Sequence, residues 1–543
     1  MFKKISLSSI IALLLGAVNF YITLPAINIK DSGFWSLILF MSVVFIITYF
    51  ILNGSLKFKI NNYNTKNHVI DFKKPIFKKS HKNIFIIAFV IILITGLSIW
   101  ASSTKIFNAS KYQKMLPVEN SNFTEDIAEL PINKIPIVDK DSAERLGSRK
   151  IGEVVELVSQ FNVSDYYTQI NYKETPYRVS PLEYADFIKW LGNKKEGVPY
   201  YVKIDMASQN TELVKLDKGM KYLPSEYFDR DLLRHVRFAY PTKMFHSTSF
   251  EIDEEGNPFF VISYYEYTIG FLGGKDIAGV LCVNAVTGEI NDYPVKSVPS
   301  WVDRVYDADI VLEQANSWGS FTEGYINSIL GQKNVIQTTD GYNYIALNDD
   351  VWLFTGITSV VSDESNIGFL LINMRTKESK RYSINGAEEY SAMSSAEGKI
   401  QEKKYTATFP ILINIADTPS YFISLKDNAG LVKAYSFVSV SNYQIVGVAD
   451  TLEGASEEYL RLLNTNGVST ENEAIVKKEI IVDRINSAVI DGNSVYYIKP
   501  LGSDKIYSAN IDLSTKLPLI KEGDKITISI YDNENITTIN AIE

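Results

Sequence analysis

The chain has 543 residues, 46% hydrophobic and 22% charged, a length that exceeds one compact domain and predicts three or four units. Its charge is divided: residues 1–101 hold eleven Lys, no Arg and two acids, which leaves 43 bases against 61 acids, near −18, for residues 102–543. An acidic surface of that size excludes nucleic acid as a partner, because binding phosphate needs a basic one.

Three apolar stretches come first, at residues 10–27, 33–52 and 84–100, and none contains Asp, Glu, Lys or Arg. Each is long enough to cross a hydrocarbon core of about 30 Å as a helix. The loop at 54–82 carries eight Lys against the single acid Asp71. Basic loops stay cytoplasmic, so the N-terminus and this loop are expected inside and residues 102–543 outside, in a multi-pass membrane protein. Trp35, Tyr49 and Trp100, near the span ends, fit an interfacial aromatic belt.

Residues 102–136 are polar and weakly periodic, which predicts a stalk or linker. An N-terminal α+β domain is expected over 137–250 and a repeat region over 251–470. Ser180, Pro181 and Glu183 form a capping-box pattern that predicts a helix over 180–191. Further helices are predicted over 307–318 and 451–463 from apolar residues three and four apart. Between them a strand entry recurs, a turn followed by an aromatic pair and a β-branched residue: VPYYVKI from Val198, NPFFVIS from Asn257, PSYFISL from Pro419 and SVYYIKP from Ser494, with YNYIAL from Tyr342 as a looser copy. These read as half-buried antiparallel strands. Cys282, in the run VLCVN, is the one cysteine, so an intrachain disulfide is excluded and a small core residue is expected. The last stretch, 475–543, is poor in helix signals and reads as a small C-terminal β-barrel, with an OB-like barrel as one form of it.

Two segments align without gaps: GVLCVNAVTGEINDYPV from Gly279 and GFLLINMRTKESKRYSI from Gly368 coincide at six of 17 positions. Both read as strand, polar turn, strand. The first copy, VNAVTGEI, resembles the PepSY-type repeat, a small bacterial module in which a helix packs on a sheet ending in such a hairpin. The second departs from it at Lys377, which stands where the turn glycine would be. This resemblance implies an interaction role toward other extracytoplasmic proteins. The segments DSAERLGSRKIGE from Asp141, WVDRVYDADIVLEQANSWG from Trp301, TGITSVVSDESNIGFLLI from Thr355, EYSAMSSAEGKIQEK from Glu389 and SYFISLKDNAGLVKAYSFVSV from Ser420 resemble a family of bacterial membrane proteins described as cell-shape or envelope proteins. It implies no catalytic residue.

The chemistry legible in the sequence is sparse. The outer region holds two histidines, His235 and His246, without a metal-ligand spacing, and no nucleophile motif. FLGGKD from Phe271 lacks phosphate-loop spacing and reads as a hairpin turn, and DEEGN from Asp253 reads as a solvated turn. Asp363, Glu364 and Asn366, within the family-like segment, form the candidate functional loop. The expectation is therefore a membrane-anchored α+β protein with three transmembrane helices and a β-rich extracytoplasmic region. It is expected to use no metal or cofactor and to bind another envelope protein or a wall polymer without catalysis. A cell-wall-directed enzyme using paired carboxylates is the alternative.

Overall fold

A computed structural model describes residues 2–53, 79–360, 365–466, 476–490, 493–514, 516–530 and 536–542. It begins with helices α1 (Phe2–Thr23) and α2 (Ser32–Leu52), each long and apolar enough to cross a membrane. Small residues let them pack closely. Ser8, Ala12 and Gly16 form the buried stripe of α1, and a Cβ on Gly16 would lie 2.7 Å from Met41 Cγ. Asp31 caps α2 by accepting from the Phe34 amide at 3.0 Å. Helix α3 (Lys79–Ser103) follows, then α4 (Lys105–Gln113).

Both exits from these helices are fastened to the folded body. In the connection from α1 to α2, the Ile27 amide donates to Pro241 O at 2.7 Å and Asn28 Nδ2 to Thr242 O at 3.1 Å. Arg237 Nε donates back to Leu24 O at 3.0 Å. At the end of α3, Ser103 Oγ accepts from the amides of Phe271 and Leu272 at 3.1 and 3.0 Å. The FLGGKD segment is indeed a hairpin tip, and its glycines have a steric reason. A Cβ on Gly270 would stand 2.3 Å from Ser102 O, and one on Gly273 2.4 Å from Ser103 O.

Residues 137–449 fold as four successive units of one build. In each, an entering segment leads to a helix and then to an antiparallel sheet. The longest strand pairs of the four sheets are Val198–Asp205 with Thr211–Met220, Pro258–Ile269 with Gly273–Asn284, Asp350–Ser359 with Gly368–Asn373, and Thr418–Lys426 with Val432–Ser439. All the recurring aromatic entries lie in strands, as their alternation predicts.

The repetition is clearest at one turn. Asn284 Oδ1 accepts from the amides of Val286 and Thr287, and Asn373 Oδ1 from those of Arg375 and Thr376. Asp205 Oδ1 accepts from Ala207 and Ser208 in the same way. Such side-chain acceptors fold the backbone back on itself. Three residues later the hydroxyls of Ser208, Thr287 and Thr376 each accept the amide two positions on. The residue between is left-handed in all three: Gln209 at φ 61°, Gly288 at 77° and Lys377 at 65°. The residue after the Asx position then stitches the unit together. Met206, Ala285 and Met374 donate to Pro176 O, Pro258 O and Val351 O, and their carbonyls accept from the entering amides of Ile137, Lys221 and Val305. The fourth unit varies the theme with a turn one residue longer. There Val440 donates to Pro419 O, and its carbonyl accepts from Ala387.

Several sequence expectations need correction. Ser180 is buried within the strand Thr175–Tyr184, paired opposite Val202, so the expected capping box is not a cap. The helix is the shorter Phe187–Asn193, capped by Asp186 through the Lys189 amide. The other two helices run over Ala308–Ser320 and Leu452–Thr465, capped by Asp307 and Thr451. Residues 102–136 are no stalk: Val118–Ser121 adds a parallel strand beside Ser379–Tyr382, and Phe123 and Ile135 are buried in the core. The polar composition that suggested a linker belongs to its solvent side. The expected boundary at 250 falls inside the strand Met244–Ile252 and the one at 470 lies outside the described residues, whereas the entering segments put the unit starts near 137, 221, 305 and 387. One apolar core runs through all four units, with a second between the second and third sheets.

The C-terminal strands close on themselves. Val476–Ile490 pairs with both Asn493–Pro500 and Lys525–Ile530; Ile506–Asn510 and Ile536–Ile542 complete a five-stranded barrel and pair in parallel. Ile498, Tyr507 and Ile528 fill its own core.

Candidate functional site

Of the predicted loop, Asp363 and Glu364 lie outside the described residues. Asn366 is buried where the third unit meets the fourth. Its Nδ2 donates to Tyr421 Oη at 3.2 Å and to Glu389 Oε2 at 3.4 Å, and Tyr421 in turn donates to Ala387 O at 2.9 Å. Burial raises the pKa of Glu389. Gly356 leaves room for this polar knot: a Cβ there would stand 2.5 Å from Glu389 Oε1.

A pair of carboxylates that sequence reading passed over sits where three units meet. Glu251, on the strand Met244–Ile252, accepts from Ser249 Oγ at 2.6 Å and from the Asp303 amide at 2.7 Å. Asp303 accepts from the Asn171 amide at 2.7 Å, which ties in the first unit. Beside them Arg304 donates to Tyr344 Oη at 2.7 Å and lies over that ring. Glu251 is 0% and Asp303 1% exposed. Burial raises the pKa of both, and the neighbouring Glu251 pushes Asp303 further. Glu251 lies between Phe250 and Ile252, and an acid between two apolar residues was the available signal.

His246 gains the partners that its sequence neighbours could not supply. Lys275 Nζ is 2.9 Å from Nδ1, Asp309 Oδ1 is 3.0 Å from Nε2, and Asp307 is 3.9 Å away. A lysine ammonium only donates, so Nδ1 accepts and Nε2 carries the proton given to Asp309. The ligand atoms of His246, Asp307 and Asp309 lie within 4.8 Å of one another. A ring nitrogen that is already a donor fits an ion-pair network at a helix start better than a metal centre. His235 is simpler: Nε2 meets Gly288 O at 2.8 Å and the ring packs on Tyr222.

Lys275 also borders a cavity of about 190 Å³ between α4, the hairpin tip and the helix Ala308–Ser320, with Tyr112, Tyr267, Glu313, Gln314 and Ser317 in its wall. Gln314 gives its Nε2 to Lys275 O and Asp276 Oδ1. Neither Glu251 nor Asp303 lines this cavity.

No protein-family model matches the sequence, and no curated protein matches it. Among solved structures, a levansucrase from B. megaterium aligns at 11% identity over 81% of this chain and 96% of its own, with a TM-score of 0.18. Bacillus subtilis levansucrase aligns at 10% identity over 76% and 91%, with a TM-score of 0.16. Scores of that size are far below those of a shared fold.

Proposed function

We propose that this protein is a multi-pass, membrane-anchored binding or scaffold protein of the bacterial envelope, with residues 102–543 outside the cell. The observation that carries the reading is the double fastening described above. The α1–α2 connection and the end of α3 grip the same folded body, as expected if α3 is a third span and both exits open on one side. The lysine-rich loop at 54–82 then belongs to the opposite, cytoplasmic side. The four units support a PepSY-like identity, since each pairs a helix with a sheet, and three of the sheets are closed by the same hairpin turn. The barrel's parallel closing pair and its long shared first strand support an OB-like form.

A binding role, rather than catalysis, is supported by the carboxylates. The desolvated pair Glu251 and Asp303 is sealed in the interior and does not line the cavity beside Lys275. The partner is a second envelope protein or a wall polymer, and no nucleic acid is expected. Two experiments test this. Protease added to intact protoplasts should digest the region beyond residue 103 and spare the 54–82 loop; survival of the large region overturns the topology. Crosslinking in intact cells should then retrieve one envelope partner, and Asp363→Ala with Glu364→Ala should weaken its capture. Hydrolysis of peptidoglycan fragments by the purified protein, lost on substituting a single buried carboxylate, would show instead that it is an enzyme.

A further inference from the structure

The face that receives α1 stays apolar well beyond the contact itself. Phe238 packs on Phe20 and Tyr21 at centroid distances of 5.8 and 6.2 Å. Phe20 lies three residues before the end of α1, roughly 4.5 Å along the axis at 1.5 Å per residue. Phe238 therefore meets the helix within the depth that α1 itself occupies. Arg234 stacks over Tyr21 at 4.3 Å and donates to Phe228 O at 2.7 Å. The Phe228 ring is 5.9 Å from Trp190, which packs against Phe187 at 5.3 Å and Tyr227 at 4.8 Å. A run of rings bridged by Arg234 thus leads from the outer end of α1 to the helix Phe187–Asn193.

The side chains along that path face solvent: Ile188 is 69% exposed, Phe228 58%, Phe238 57%, Leu191 48% and Phe187 44%. A water-facing surface rarely gathers so many large apolar groups in one place. The platform is stiff from beneath, because buried Glu226 accepts from Trp190 Nε1 at 2.6 Å and Tyr184 Oη at 3.1 Å and pairs with Arg230 at 3.3 Å. Its rim carries Lys189, Lys194 and Lys195 on or just after the same helix, against Asp186 and Glu196 at its two ends, with Lys194 over the Trp190 ring at 4.9 Å.

We propose that this face is a membrane-insertion surface whose occupant is the outer-leaflet lipid around α1. Ile188, Leu191, Phe187 and Phe228 enter the boundary between headgroups and acyl chains, and the three lysines meet anionic headgroups. Aromatic rings with basic neighbours at the end of an apolar helix are the chemistry that this boundary selects. The inference rests on reading α1 and α2 as membrane spans, and the test separates the two claims.

The full-length protein is reconstituted in vesicles containing phosphatidylglycerol, with a nitroxide placed singly through Ile188→Cys or Phe228→Cys. Native Cys282 is buried and stays unlabelled. Two references accompany them: Leu14→Cys on α1, and Glu255→Cys in an acidic turn that its charge keeps in water. Each position is read for collision with oxygen, which concentrates in lipid, and with a water-soluble nickel chelate. The expected result is a several-fold higher oxygen-to-nickel ratio at 188 and 228 than at 255. A ratio equal to that at 255, or protection from both reagents as in a contact between two copies, overturns the insertion surface while Leu14 still reports lipid. If Leu14 reports water as well, the anchoring reading fails along with it.

Discussion

At the scale of single residues, the most consequential position is Asp303. Burial and the neighbouring Glu251 push the folded pKa of its carboxyl above the unfolded value. The stability this contributes is complete below the unfolded pKa and is lost as pH rises toward the folded one. Thermal midpoints of the wild type should therefore decline as pH rises above the unfolded carboxyl range, and Asp303→Asn, neutral at every pH, should flatten that slope. A slope unchanged in the Asn variant would assign the pH dependence elsewhere. Asp303→Ala is a different perturbation, since it strips the Asn171 amide of its acceptor, and a loss of about 1–3 kcal/mol is expected in chemical denaturation. Cys282 behaves oppositely to a reactive thiol. It is buried and its pKa is pushed up by burial, so maleimide should modify it only after denaturant is added; rapid labelling of the native protein would contradict the packing.

At the scale of elements, the recurring turn shows what sequence carries and what it hides. The second and third copies could be aligned because their Asn, Thr and Glu are identical. The first copy keeps the chemistry and changes the letters: Asp205 replaces Asn as amide acceptor, and Ser208 replaces Thr. The fourth is one residue longer and uses Ser439 Oγ, which accepts from the Asn442 amide at 3.3 Å. Identity was legible while function of the side chain was not. The same gap explains Ser180, whose hydroxyl donates to Ser164 O at 3.0 Å within the sheet instead of capping a helix. His246 could not be interpreted from its neighbours because Lys275 and Asp309 are 29 and 63 residues away in the chain.

The shared turn chemistry yields a direct comparison. Asn284→Asp should be tolerated, because the first unit already uses Asp there, whereas Asn284→Ala should cost about 1–3 kcal/mol through two lost hydrogen bonds to the turn amides. Equal tolerance of Asp and Ala in equilibrium unfolding would show that the side chain does not organise the turn. Gly288→Ala should be worse than its left-handed φ alone requires, on the order of 1 kcal/mol. The added Cβ would stand 2.3 Å from the Tyr222 ring.

For the molecule as a whole, the barrel and the four units are different kinds of neighbour. The units share a continuous core, while among the described residues the barrel has a separate one and pairs its strands with one another alone. Removing residues 467–543 should accordingly leave the melting of the remaining protein within a degree or two; a collapse on truncation would reveal an interface between them. The acidic surface predicts a second whole-molecule property. If a basic partner is steered by that charge, its association rate should fall as salt rises, with dissociation little changed.

Because both helix exits are clamped to the body, the large domain is mounted rather than tethered. A domain on a loose leash sweeps out a hemisphere and meets its targets at many heights and angles. If α1 to α3 cross a bilayer as proposed, this one would hold a single bearing relative to it, and every surface it presents would work at a set altitude. Under the proposed envelope role such a mount would act as a gauge: a polymer strand or neighbouring protein would be engaged only when it passed through that thin layer, and a few flexible residues inserted after Ser103 and after Leu24 would blur the measurement while leaving each binding surface intact.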